Sequence, residues 1–282
     1  MIKNFFSAIS PVANWRAFTE VWRILTTQRN LVVEMTRREL ADQYAGQIFG
    51  TLWIIGYPFI QIAVYVFIFG FVFKTKMGGT ADLPLDHTAY ILSGLLAWLG
   101  FQQGLARSST ALTSQTNLVQ QVVFPIEVLP TKAVLSSFTG QLIALVFLVV
   151  YVLLSHGSLF WTYTLLPVLA ILQFMAMLGV GFVLAGLSPF LRDIKDFVTV
   201  YSMIGIYVLP VVYSPEWVPA VFRPILYANP LSYMIWCYQD VLYFGRIEHP
   251  IAWIVNIIGS PLVLAMGYRI FRGVKPYVGN VL

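Results

Sequence analysis

The chain reads as an all-α, polytopic membrane protein with six transmembrane helices and both termini in the cytoplasm. An N-terminal amphipathic interface helix and a re-entrant outer segment between helices 5 and 6 complete the expected fold. Three observations carry this reading. Hydrophobic residues make up 59% of the 282 residues and charged residues only 10%, against roughly a quarter charged in soluble domains, so lipid rather than water covers the surface. Charge-free runs recur at the length of about 20 residues that a helix needs to cross the hydrocarbon core. Lys and Arg gather at the two ends of the chain and in alternate loops.

Charges delimit the spans, because one at the centre of a membrane helix costs several kcal/mol. Asp42 and Lys74 bracket the first, 49–73, and His87 and Arg107 the second, 88–106. Lys132 and Arg192 enclose 59 uncharged residues, too many for one helix. A turn at 155–161 divides them into 133–154 and 163–187: His156, Gly157 and Ser158 break the pattern, and Trp161 and Tyr163 suit an interface. Asp196 and Glu216 bracket 197–213, and Glu248 and Arg269 bracket 251–268. The apolar stretch 231–245 carries Asp240, with only nine residues between it and Pro230, and is read as no full crossing. The organisation is then a cytoplasmic segment, 1–48, a membrane domain, 49–272, and a cytoplasmic tail, 273–282. The apolar patch 5–9 is too short for a cleavable signal peptide.

Counting Lys and Arg by side gives thirteen on that of the termini and four on the other. The positive-inside rule therefore places both termini in the cytoplasm. A seventh span would send Arg269, Arg272 and Lys275 outside.

Trp15, Phe18, Trp22 and Leu25 recur at steps of three, four and three, with Arg16, Glu20 and Arg23 on the other faces. That is an amphipathic helix lying in the headgroup layer; the competing reading is a helix packed on the protein's own loops. Pro215, Pro219, Pro224 and Pro230 break the region after the fifth span into short pieces. Its aromatics, among them Trp217, Tyr233 and Trp236, suggest that it dips back toward the membrane, buried in protein. Gly179, Gly181, Ala185 and Gly186 give the fourth span a small-residue face for close helix packing.

Several chemistries are not expected. No Gly-Lys dipeptide occurs, hence no phosphate-binding loop, and neither a Gly-x-Ser-x-Gly elbow nor a His-Glu-x-x-His pair is present. His87, His156 and His249 are never at ligand spacing, and the lone Cys237 excludes an internal disulfide. The placement of the cations speaks for membrane topology rather than nucleic acid. The spans lack interior Asp, Glu, Lys and Arg, which ion-coupled transporters bury. They hold instead Tyr57, Gln61, Tyr65, Gln102, Gln103, Gln141, Tyr151, Gln173, Tyr201, Tyr207 and Asn256. Amides bond without a charge penalty and aromatic rings stack on sugars, so a carbohydrate path is one reading; a lipid-facing aromatic belt is the other.

A series of motifs carries a family likeness. Thr36-Arg-Arg-Glu-Leu, Tyr44-Ala-Gly-Gln-Ile-Phe-Gly, Leu52-Trp, Tyr57-Pro and Tyr65-Val-Phe-Ile-Phe-Gly surround the first span. Gly94-Leu-Leu-Ala-Trp, Val123-Phe-Pro-Ile-Glu-Val-Leu-Pro130, Ser188-Pro-Phe-Leu-Arg-Asp-Ile-Lys-Asp196, Tyr213-Ser-Pro and Asn229-Pro-Leu follow in order. Over about 36–245 the chain resembles the ABC-2 type permeases that export lipid-linked polysaccharides such as O-antigen, capsule and teichoic acid. It departs at Tyr238-Gln-Asp240, where many relatives have Tyr-Arg.

The resemblance implies a channel-forming homodimer in the cytoplasmic membrane of a bacterium, with no cofactor of its own. Two separate ATP-binding cassette subunits would bind the ATP and Mg. The chain would then be a transport subunit and no enzyme; a gradient-driven transporter or lipid scramblase is the alternative. Carried onto this sequence, ATPase coupling falls on Arg37, Arg38, Gln121, Phe124, Pro125, Ile126 and Glu127. Arg192 and Asp193 form a second contact, unless Asp193 simply caps the fifth span. Tyr57, Gln61, Tyr65, Gln102, Gln103, Tyr201 and Tyr207 are the expected substrate path.

Overall fold

The computed structural model describes residues 11–72, 85–121 and 124–282. Lys3, the patch 5–9, position 73, Lys74 and Lys76 lie outside the described residues. Those described form helices and connecting turns with no strand. Two helices, α1 (Pro11–Thr27) and α2 (Arg29–Asp42), precede the bundle. The bundle proper contains α3 (Trp53–Val66), α4 (His87–Thr110), α6 (Val128–His156), α7 (Leu166–Leu187), α8 (Ile194–Val208) and α11 (Pro250–Val281). The short α5 (Thr116–Gln121), α9 (Arg223–Ala228) and α10 (Pro230–Gln239) lie between them.

Among the described residues, four helical stretches are long and apolar enough to cross a membrane: Gly50–Val72, Val128–His156, Trp161–Leu187 and Pro250–Val281. The first joins α3 to a 3₁₀ turn before it and a π-helical turn, Phe67–Val72, after it. The expected second and fifth spans differ in kind. With 24 residues, α4 is about 36 Å long, but it carries Gln102, Gln103, Arg107 and several hydroxyls. It can, because it is the hub of the bundle: residues 88–98 are buried without a break, and α6, α7, α8 and α10 pack around it. A helix shielded by protein does not need the apolar surface that lipid demands.

The 15 residues of α8 rise only about 22 Å, against about 30 Å of hydrocarbon. It stops at Val208, five residues before the expected end. Leu209 is extended at φ −95° and ψ 151°, as the ring of the following Pro210 requires. The freed Pro210 carbonyl accepts from Gln239 Nε2 at 2.9 Å, so the break is satisfied inside the protein.

Expected breaks elsewhere fall where the chemistry puts them. After His156, Gly157 takes the left-handed φ of 74°, and its N–H caps Leu153 at 2.9 Å, the αL ending glycine favours. The outer segment is in pieces: a 3₁₀ turn at Pro215–Trp217, α9, then α10 running into a π-turn, Asp240–Phe244. Residues 234–243 are all buried, packed between α4 and α11. Asp240 survives there through three partners, the His249 backbone N–H at 3.1 Å, His249 Nδ1 at 2.7 Å and Trp253 Nε1 at 3.0 Å.

The small-residue face of α7 meets α11. A side-chain carbon on Gly267 would lie 1.9 Å from the Gly179 carbonyl oxygen, so the two backbones touch only because both positions are glycine. The 273–282 region, expected as a cytoplasmic tail, is helical to Val281 as the end of α11. Lys275, inside this extension, finds a partner in the bundle.

Candidate functional site

The site is built where charged side chains meet at one end of the bundle. There α1 and α2, the loop before α6 and the end of α11 come together. Lys132 Nζ, on the first turn of α6, pairs with Glu39 Oε2 of α2 at 2.8 Å. Lys275 Nζ of α11 pairs with Glu127 Oε1 at 2.6 Å. On α1, Glu20 takes Arg272, and Asn14 Oδ1 accepts from Arg269 at 2.8 Å. Sequence reasoning used Lys132 and Lys275 only as span boundaries and side counts. No local spacing links residues 93 or 148 positions apart.

These pairs place the expected coupling residues. Glu127 is 7% exposed and turned inward on Lys275, with its Oε2 buried and unpartnered among the described residues. It therefore holds the loop to α11 instead of offering a charge outward. Ile126 is buried, and Phe124 is half-buried against the core. Backbone bonds from Val128 to Pro125 at 3.0 Å and from Leu129 to Ile126 at 3.1 Å turn this loop into α6. Gln121 closes α5, with its side chain outside the described residues.

Arg37 and Arg38 are exposed on α2, and Arg38 pairs with Glu34 at 3.0 Å along the helix. Arg192 and Asp193 are exposed just before α8. Asp193 occupies the N-cap position of α8, yet its side chain makes no capping hydrogen bond.

The α1 stripe divides in an unexpected way. Trp15 and Trp22 are 69% and 63% exposed, whereas Ala17 and Val21 are buried, and α1 packs on α11. The contact with protein runs through Ala17 and Val21, which the aromatic spacing passes over, with Phe18 and Leu25 of the stripe partly buried beside them, and both tryptophans are left facing outward.

The residues expected on a substrate path fall in three places within one chain. Tyr57, Gln61 and Gln103 line a cleft between α3, α4 and α6 that the end of α2 closes. Tyr65, one turn beyond Gln61, stacks on Phe69 at 6.3 Å, and the half-buried Gln102 lies on α4. Tyr201 packs edge-on against Trp98 at 5.8 Å and borders a groove with Asn229. Tyr207, on the same helix, is 74% exposed.

Two other amides have a different task. Gln141 Nε2 donates to Gln173 Oε1 at 2.6 Å, and Gln173 Nε2 donates back at 3.0 Å and to the Ala97 carbonyl at 2.9 Å. This buried, reciprocal pair ties α6, α7 and α4 together. Asn256 likewise turns inward to the Ala252 carbonyl at 2.9 Å.

Known proteins share this sequence broadly. Two proteins of Klebsiella pneumoniae, each named O-antigen export system permease protein RfbA, are 27% identical to it over 90% of the chain and 95% of their own length. A Myxococcus xanthus protein of the same name is 25% identical over 80% of the chain and 85% of its own length. A family model described as ABC-2 type transporter matches residues 30–243, which take in the loop before α6, the cleft and most of the outer segment, and the chain belongs to that family.

Proposed function

We propose that this chain is the channel-forming permease subunit of an ATP-driven exporter that moves a lipid-linked polysaccharide across the cytoplasmic (inner) membrane of a bacterium. Two copies form the channel, and two separate ATP-binding cassette subunits bind ATP and Mg and drive it. The chain crosses the membrane six times, with α4 and α8 as the two protein-shielded or short crossings and both termini in the cytoplasm.

The observation that carries this reading is the ion-paired end of the bundle. A motor subunit can move the membrane helices only if the surface it grips is fixed to them. Here the loop 124–127 is joined to α11 through Glu127 and Lys275, and α2 to α6 through Glu39 and Lys132. On α2 and just before α8 stand the exposed Arg37, Arg192 and Asp193, charges available to a partner. The sequence has no phosphate-binding loop of its own, so the motor is a second subunit.

The relatives, named as O-antigen export permeases, support polysaccharide as cargo. Exposed apolar residues on α3 and α8, among them Ile55, Phe59, Phe197 and Met203, leave surfaces for a second copy and for lipid. Deleting the gene in its own host tests the reading: finished, lipid-linked glycan should accumulate on the cytoplasmic side. Loss of glycan synthesis itself would instead point to a membrane enzyme.

A further inference from the structure

We infer that the cleft between α2, α3, α4 and α6 is a binding site for a phosphate group carried by a membrane lipid. Its polar wall is rich in donors and has an unanswered charge. Arg107 enters from α4, half-buried. Among the described residues its guanidinium makes one hydrogen bond, to Ser136 Oγ at 2.9 Å, and no ion pair. The carboxylate that acts on it, Glu39, is held by Lys132 at 2.8 Å. Of the residues that line the cleft Arg107 is the charged one, and with Glu39 taken by Lys132 its positive charge is left unanswered.

A second observation points into the same space. Gln43 lines the cleft, and its Nε2, a double donor, is buried with no partner among the described residues. A buried donor left unsatisfied costs about 1–3 kcal/mol, and a bound acceptor removes that cost. Gln103, Tyr44 and Tyr57 line the same cleft. Donor-bearing side chains from α3, α4 and the end of α2, in one cleft with a guanidinium, match an oxyanion with several acceptor oxygens.

Size and depth agree. The cleft has about 50 Å³ of free space; at on the order of 10–15 Å³ per water, that admits about four waters or one tetrahedral anion. Arg107 lies within a turn of the end of α4, at the end of the bundle where the ion pairs gather. A cation at a helix end lies at the level of lipid headgroups, which is where lipid phosphates are.

Native mass spectrometry of the purified, delipidated full-length chain tests this, with dioleoyl phosphatidic acid as ligand and dioleoylglycerol as its uncharged counterpart. Phosphatidic acid should bind about tenfold more tightly than the diglyceride. Arg107→Gln should weaken phosphatidic acid by about tenfold or more, and Gln43→Leu by about threefold. Arg107→Lys should keep most of the affinity, and circular dichroism checks that each variant is folded.

Inorganic phosphate added as competitor separates the sources. Displacement at millimolar concentration supports a site that takes the bare anion as well. No displacement, with dependence on Arg107 retained, assigns it to lipid-borne phosphate alone. Equal binding of the diglyceride, or unchanged phosphatidic acid affinity in both Arg107→Gln and Gln43→Leu, overturns the proposal. Binding is read on this chain without its motor, so the result is independent of the export reading.

Discussion

Lys275 Nζ lies 2.6 Å from Glu127 Oε1, so the last turns of the final helix hold the loop that precedes α6. Glu127 is the buried partner and Lys275 the half-exposed one. Removing Lys275 leaves a buried carboxylate unpaired. Lys275→Ala should therefore destabilise the protein by about 1–3 kcal/mol, below the 3–5 kcal/mol typical of a fully buried pair because solvent reaches the lysine. With the motor subunit present, ATP hydrolysed per glycan exported should rise. The exchanged pair Glu127→Lys with Lys275→Glu should recover part of both losses in a thermal melt and an export assay. A fully additive double variant would show that the two residues do not act together.

The Gln141 and Gln173 amides offer a cleaner energetic test. Either residue changed to Leu strands its partner in a buried site, at about 1–3 kcal/mol. Replacing both with Leu should cost less than the sum of the single changes, since no orphaned amide remains. Thermal unfolding in detergent measures all three. An additive outcome would mean that the amides bond elsewhere.

At Gly267 the test is steric. Gly267→Val places carbon atoms against the Gly179 carbonyl, and α7 and α11 must separate. Overpacking of this kind typically costs about 1–3 kcal/mol, occasionally more. Gly140→Ala, with open space around the added carbon, should leave the melting temperature within about 1–2 °C of the parent, since helical Ala is if anything favoured. Equal melting temperatures for Gly267→Val and the parent would refute the close crossing.

Tyr201 and Tyr207 separate packing from path. Tyr201→Ala removes a ring packed on the buried Trp98 and should lower stability by about 1–3 kcal/mol. Tyr207, exposed on the same helix, should change stability by less than about 0.5 kcal/mol while slowing export. Export at the parental rate in Tyr207→Ala would assign that ring to the lipid-facing belt.

Part of this architecture was legible in the sequence because membrane helices announce themselves locally. Charge-free runs marked the helices, Gly157 marked the turn after α6, and the prolines marked the broken outer segment. The end of α8 was legible in principle, since Pro210 dictates the extended Leu209, but an apolar run up to Tyr213 hid it. Membership of the family was legible in the ordered motifs from Thr36 onward. The charge pairs were not: Glu39 with Lys132 and Glu127 with Lys275 depend on which helix ends meet. The partner of Lys275 was hidden for the same reason, because Lys275 reads as a topological cation until the loop it holds is placed beside it. The seven path residues are marked by their type, and type does not tell which face of a helix a tyrosine occupies.

Inverted membrane vesicles loaded with lipid-linked glycan put the central claim to its most direct test. The measured quantity is protection of the glycan from an added glycosidase. Protection should develop only when this chain, its ATP-binding cassette partner and ATP are all present, and a protonophore should leave it unchanged. Protection without ATP that collapses with the proton gradient would contradict the account.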